Sequence, residues 1–203
     1  MKIKGTGLIA LIVATVGLAA IASAAVTPIG GQDGQYNQGC TPGPEGVALQ
    51  GDNADDNIIG TPDRDLLRGG GGDDRLTGLG DDDCLFGQRG DDQVIGENGN
   101  DRVDGGPGSD RVRGDGGRDS VKGRGGKDRL KGGNGRDRIK GGTGADKIQG
   151  DEGGGDRING GGGRDRIIDL KGRNRIKCGT GRDRVTTNRR SKVARNCEKI
   201  IRL

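Results

Sequence analysis

Asp recurs along this chain on a fixed interval. Asp56, Asp65, Asp74, Asp83, Asp92, Asp101, Asp110, Asp119, Asp128, Asp137, Asp146, Asp156, Asp165 and Asp183 follow one another every nine residues, with a ten-residue step before Asp156 and with Asn174 in phase between the last two. Carboxylates are hard oxygen donors, so a regular file of them suits a hard cation. Ca2+ accepts six to eight oxygens at about 2.3–2.6 Å, whereas Mg2+ demands stricter octahedral geometry and keeps its waters. Zinc is disfavoured, because the chain has no His and its four Cys are scattered.

Such a file is useful only if the backbone stacks it. From Gly51 to Thr186 the chain divides into fifteen windows, of which GGNGRDRIK (132–140) and GGTGADKIQ (141–149) are typical, and all but the ten-residue GDEGGGDRIN are nonapeptides. The sixth position is Asp in fourteen windows. The eighth is always aliphatic: Ile58, Leu67, Leu76, Leu85, Val94, Val103, Val112, Val121, Leu130, Ile139, Ile148, Ile158, Ile167, Ile176 and Val185. Glycine this dense excludes a helix, and collagen would need Gly at every third position. With 28% hydrophobic residues against 32% charged, the composition alone resembles a disordered chain. Disordered chains do not hold phase over fifteen windows, so the periodicity decides for order.

The physics of one window predicts the architecture. Positions one to five turn sharply and visit positive φ, which favours glycine. Positions seven to nine make a three-residue strand with position eight inward and its neighbours outward. Two windows complete a turn, so windows n and n+2 stack in parallel about 4.8 Å apart. Ile139 then lies between Val121 and Ile158, Asp119 neighbours Asp137, and Asp110 neighbours Asp128. Stacked carboxylates repel, so a cation is needed between adjacent turns.

These windows resemble the hemolysin-type (RTX) calcium-binding nonapeptide, G-G-x-G-x-D-x-U-x. The resemblance covers residues 51–186, about two thirds of the chain. It implies an all-β fold, a right-handed parallel β-roll (a β-solenoid) with two repeats per turn. It also implies that the position-six Asp residues and loop carbonyls hold calcium between turns. Proteins of that family often carry a protease, lipase or pore-forming segment beside the repeats. Here only residues 26–50 and 187–203 remain outside the repeats and the N-terminal apolar segment, and His is absent, so a non-enzymatic protein is expected. Loose glycine-loop matches to dinucleotide sites lack a strand–helix unit, and no nucleotide cofactor is expected.

Departures from the pattern mark special places. Position one or four loses Gly at Ala54, Asp63, Asp81, Asp169 and Cys178. Asn174 replaces a ligand carboxylate by an amide, and the ten-residue window should bulge one loop. The first two and last two windows are expected to be frayed ends or caps.

Residues 1–25 have Lys2 and Lys4, an apolar run from Leu8 to Ile21, and the small residues Ala22-Ser23-Ala24, the pattern of a cleaved export signal. The alternative is a retained anchor, because Gly5 to Val26 is uncharged and just long enough to span a bilayer. No other transmembrane candidate exists, so the mature chain is expected to be secreted or surface-associated. It would comprise a leader or cap at 26–50, the roll at 51–186 and a C-terminal cap at 187–203. Four Cys in an exported chain suggest two disulfides. Of three possible pairings, Cys40–Cys84 with Cys178–Cys197 would tie the two terminal segments to the nearest turns.

Charge is divided along the chain. Residues 51–104 hold 5 Lys and Arg against 15 Asp and Glu, whereas residues 105–203 hold 27 against 13. Position seven of the basic half carries Arg111, Arg129, Lys147, Arg166 and Arg184 on one face, and Arg138, Arg157 and Arg175 on the other. This is either a solvated face or a binding surface for an anionic cell-wall polymer, polysaccharide or DNA. No aromatic side chains interleave to stack on bases, which disfavours single-stranded nucleic acid.

Overall fold

The computed structural model describes residues 10–13, 19–22, 27–28, 40–151 and 153–203. Most of residues 1–25, where an export signal is expected, lies outside the described residues; within that segment, Ala10–Val13 pairs antiparallel with Ala19–Ala22. Among the described residues no helix is long and apolar enough to cross a membrane.

The chain winds between two parallel sheets through about nine turns. One sheet stacks Ala48–Gln50, Leu66–Gly71, Cys84–Arg89, Arg102–Pro107, Ser120–Gly125, Arg138–Thr143, Arg157–Gly162, Arg175–Thr180 and Lys192–Val193, with Thr27–Pro28 antiparallel at its edge. The other stacks Asn57–Ile59, Arg75–Leu79, Gln93–Asn98, Arg111–Gly117, Arg129–Gly135, Lys147–Gln149, Arg166–Asp169, Arg184–Thr187 and Lys199–Arg202. The register is the one the spacing predicts: Val121 faces Ile139, and Ile139 faces Ile158. Every position-eight aliphatic is at most 2% exposed and belongs to one continuous core. The core is a double file of aliphatic side chains, one file from each sheet.

The extra residue near Gly150 is absorbed in its loop. Interturn spacing lengthens from eighteen to nineteen residues at Asp137–Asp156 and at Asp146–Asp165, and the strands on either side keep their register.

Two expectations need correction. The first two and last two windows are not frayed ends. Leu49 adds an aliphatic rung beneath them, and Lys192–Val193 and Lys199–Arg202 add rungs above. The upstream rung keeps the nonapeptide phase, with Leu49 at position eight and Val47 at position six. The downstream rungs were hidden because their spacings shrink to 17 residues (Ile176 to Val193) and 15 residues (Val185 to Ile200), which breaks the interval.

The outward positions are also not uniformly solvated. Cys40, Leu66, Cys84 and Phe86 form a second, smaller apolar cluster on the outer side of the first sheet. Nearby, Asp104 at position nine was expected to face solvent but is 2% exposed. The Arg124 guanidinium from the next turn lies over it, with Nε 2.6 Å from Oδ1 and Nη2 2.8 Å from Oδ2. A bidentate cation supplies the partner that makes its burial tolerable.

Both disulfides join the terminal segments to nearby turns: Cys40 to Cys84, and Cys178 to Cys197. Cys178 is fully buried, in the same core as the aliphatic file.

Glycine serves different purposes at different positions of a window. Position two adopts positive φ, and where it is not glycine, at Gln88 (φ 80), Glu97 (φ 77) and Arg124 (φ 83), the angle is smaller than at Gly106 (φ 118) or Gly142 (φ 127), where a Cβ would overlap a carbonyl oxygen of the adjacent turn. Gly126, at position four, has φ 125, and a Cβ there would overlap the carbonyl oxygen of Gly108 one turn below. Neither the conformation nor the backbone contact can yield. Gly126→Ala should therefore cost about 3 kcal/mol, whereas Gln88→Gly should change stability by no more than about 1 kcal/mol. Denaturant melts of the full chain in excess calcium check the difference.

Candidate metal centre

All fourteen Asp residues singled out by the interval lie inside the roll, between 0% and 3% exposed. Two files run the length of the molecule: Asp56, Asp74, Asp92, Asp110, Asp128, Asp146, Asp165 and Asp183 on one side, and Asp65, Asp83, Asp101, Asp119, Asp137 and Asp156 on the other. The position is fixed by the strand that follows, whose aliphatic residue two places on locks into the core.

Within each file the carboxylates are linked turn to turn. The backbone N–H of Asp110 donates to Oδ1 of Asp128 at 2.9 Å, that of Asp119 to Oδ1 of Asp137 at 2.9 Å, and that of Asp128 to Oδ1 of Asp146 at 3.0 Å. The same bond recurs from Asp56 through Asp183. It consumes one oxygen. The other, Oδ2, is buried without a hydrogen-bond partner in Asp74, Asp83, Asp92, Asp101, Asp110, Asp119, Asp128, Asp137, Asp146, Asp156, Asp165 and Asp183. A bare buried carboxylate oxygen is expensive, and its repetition shows that it belongs to the design of the turn.

The first glycine of the window makes room for this oxygen. At Gly87, Gly96 and Gly123 the backbone does not need positive φ, but a Cβ would overlap Oδ2 of Asp92, Asp101 and Asp128 respectively. The same Cβ would stand 2.6–2.8 Å from a second oxygen, the carbonyl of Gly105, Gly114 or Gly141 one turn on. A carboxylate oxygen and a main-chain carbonyl from the adjacent turn thus converge where only glycine leaves space. The residues present fit a hard, oxygen-seeking cation such as Ca2+. Among the described residues no group of three or more acidic, His or Cys side chains converges, so carbonyls or water would have to complete any coordination shell.

The first two windows differ. Asp65 has both oxygens occupied from its own loop, Oδ2 by the Thr61 N–H at 2.5 Å and Oδ1 by the Thr61 hydroxyl at 3.0 Å. In Asp56, Oδ2 accepts from the Asp52 N–H at 3.0 Å and Oδ1 is the bare atom. Beyond the repeats the files end in substitutes. Val47 stands one turn below Asp65 and donates its N–H, while Ser191 and Glu198 accept from Asn174 and Asp183 above. These terminal residues were not legible from the interval, because position six there is no longer Asp.

A family model described as the RTX calcium-binding nonapeptide repeat (four copies) matches residues 50–85, 86–121, 104–139, 122–154, 131–167 and 152–185. The chain belongs to the RTX calcium-binding nonapeptide repeat family. No match is found among curated proteins. The RTX match spans most of both carboxylate files, including the window in which Asn174 replaces Asp.

Burial is the main influence on these carboxyls, and it raises them. Asp83 and Asp110 are pushed up to about 8, and Asp74 and Asp119 to about 7. Asp92, Asp101, Asp137, Asp146 and Asp165 are raised to about 6. The interturn N–H opposes each rise, and neighbouring carboxylates mostly add to it. Because the folded roll holds protons that the unfolded chain releases near pH 4, its stability in chelator falls as pH rises from about 4 to about 8. A cation competes with those protons, so its affinity should rise over the same interval, on the order of ten-fold between about pH 5.5 and 8. Calorimetry near pH 6.5 in two buffers of different ionisation enthalpy should detect protons released on calcium addition.

Proposed function

We propose that this protein is an exported, non-enzymatic calcium-binding roll with a structural or surface-associated role, and that Ca2+ completes its folding. The observation that carries this reading is the run of bare, buried Oδ2 atoms, which at Asp74, Asp83, Asp92, Asp101, Asp128 and Asp146 converge with a glycine carbonyl of the next turn. Oxygen-only donors without His favour Ca2+ over zinc, and a flexible loop of carbonyls suits calcium's variable coordination better than the strict octahedron of Mg2+. The two disulfides fit a chain that matures in an oxidising, extracellular setting. Extracellular calcium modules commonly bind at about 10⁻⁴–10⁻³ M, so folding would wait until the chain has left the cytosol.

Titrating Ca2+ into the full chain in chelator should give a cooperative gain of β circular dichroism. Asp128→Ala and Asp137→Ala should each shift the midpoint to higher calcium. Asp115→Asn, which alters an exposed pair with Arg113, should not. An identical spectrum with and without calcium would refute folding on binding.

A second reading rests on the register of the basic half. Arg111, Arg129, Lys147, Arg166, Arg184 and Lys199 stand directly above one another on one sheet, and Arg138, Arg157, Arg175 and Lys192 do so on the other. The ion pairs among the described residues, Arg113–Asp115, Arg124–Asp104 and Lys131–Asp151, use none of them. A comb of cations spaced about 4.8 Å apart suits an anionic polymer of the cell wall, a polysaccharide or DNA. Heparin binding in calcium should weaken steeply with salt and fall at least about ten-fold when Arg129, Lys147 and Arg166 are replaced by Ser. Binding that ignores both changes would leave the comb a solvated face.

A further inference from the structure

One window breaks the pattern twice. In residues 169–177, position six is Asn174 instead of Asp, and position one is Asp169 instead of Gly. Across all fifteen windows this is the only one without a position-six carboxylate, and the only one with a carboxylate at position one. The two departures coincide in space. Asp169 is 1% exposed, and neither oxygen is in a hydrogen bond of good geometry; the Asn174 amide beside it only partly opposes the effect of burial on the carboxyl. It points into the space around Gly150 one turn below: a Cβ built there would lie 2.8 Å from Asp169 Oδ1 and 3.3 Å from Oδ2 of Asp156, which is itself unpartnered. In the regular turns that space receives a glycine carbonyl together with the position-six Oδ2.

Asn174 keeps the half of the position-six role that an amide can perform. Its Oδ1 accepts the Asp156 N–H at 2.8 Å, as an Asp would, and also the Gly155 N–H at 2.8 Å. Its Nδ2 donates to the Lys171 carbonyl. The interturn bond therefore survives, but the negative oxygen is missing. We propose that Asp169 restores it, supplying from position one the carboxylate of an off-pattern calcium site shared with Asp156 Oδ2. Asp151, another acid near this site among the described residues, is engaged by Lys131 Nζ at 3.1 Å. The Arg136 side chain borders Gly155, and its charge acts on Asp156. A site beside a fixed cation needs a second carboxylate more than the others do.

This rests on the calcium reading above, and the experiment separates the two. Bound calcium is counted by equilibrium dialysis for the full chain, for Asp169→Asn, and for the double variant Asp169→Gly, Asn174→Asp, which recreates the regular window. Asp169→Asn should bind one ion fewer than the parent, and the double variant should regain it. Thermal midpoints give a second readout that a purely structural role would not move in the same way. Removing a buried unpaired charge should leave Asp169→Asn at least as stable as the parent in chelator, but less stable in saturating calcium. If the parent binds no calcium, the functional reading fails as a whole. If the parent binds several ions and Asp169→Asn binds equally many, Asp169 is a buried acid held beside the Asn174 amide, and only this proposal is overturned.

Discussion

From Asp74 to Asp183, each position-six Asp accepts a hydrogen bond from the main chain of the turn below through Oδ1, and buries Oδ2 with nothing to bond it. The first half of that arrangement ties adjacent turns together, because the N–H of Asp119 or Asp128 has its partner only when the next turn is in register. The second half loads every turn with an uncompensated negative atom. Desolvating a charged group costs several kcal/mol even after relaxation, far more than one interturn hydrogen bond returns. Positive charge must therefore arrive at Oδ2, as a proton or as a cation. The raised carboxyls of Asp83 and Asp110, near 8, express the proton answer.

The thin core explains why so much depends on this balance. Each window contributes one aliphatic side chain to the space between the sheets, and strands of three to seven residues add little unless they are stacked. Hydrophobic burial grows one side chain at a time, while the carboxylate penalty grows at the same rate, one per window. Apolar packing positions the acids, and their neutralisation is what the proposed calcium would add. A roll of this kind is well suited to being conditional on a ligand that neutralises acids in series.

Much of this was legible in the sequence because both periods coincide. An aliphatic residue two places after each Asp fixes which side faces inward, and the invariant interval fixes which Asp meets which. Three features were not legible, each for a physical reason. The burial of Asp104 depends on Arg124, twenty residues away and outside the motif. The rungs at Val193 and Ile200 sit at shortened spacings, which a strict interval rejects. The glycine at position one reads from composition as a turn residue, but at Gly123 its role is to vacate space for Asp128 Oδ2.

The two ends show what happens when the carboxylates run out. At the lower end, Val47 occupies position six, and Asp65 above it is already satisfied by Thr61, so no bare oxygen remains between those turns. At the upper end, Asn174 donates to the Ser191 hydroxyl, a rung without a carboxylate. These are also the places where the chain is crosslinked. Cys40–Cys84 fastens the leader over the outer face of the first rungs, and Cys178–Cys197 locks the last turns to the core. Within the repeats stacked acids can share a cation between adjacent turns; beyond them only Glu198, over Asp183, continues the file with a carboxylate, and the covalent bonds tie these outer rungs down. The disulfides thus hold the rungs at which the repeating chemistry runs out.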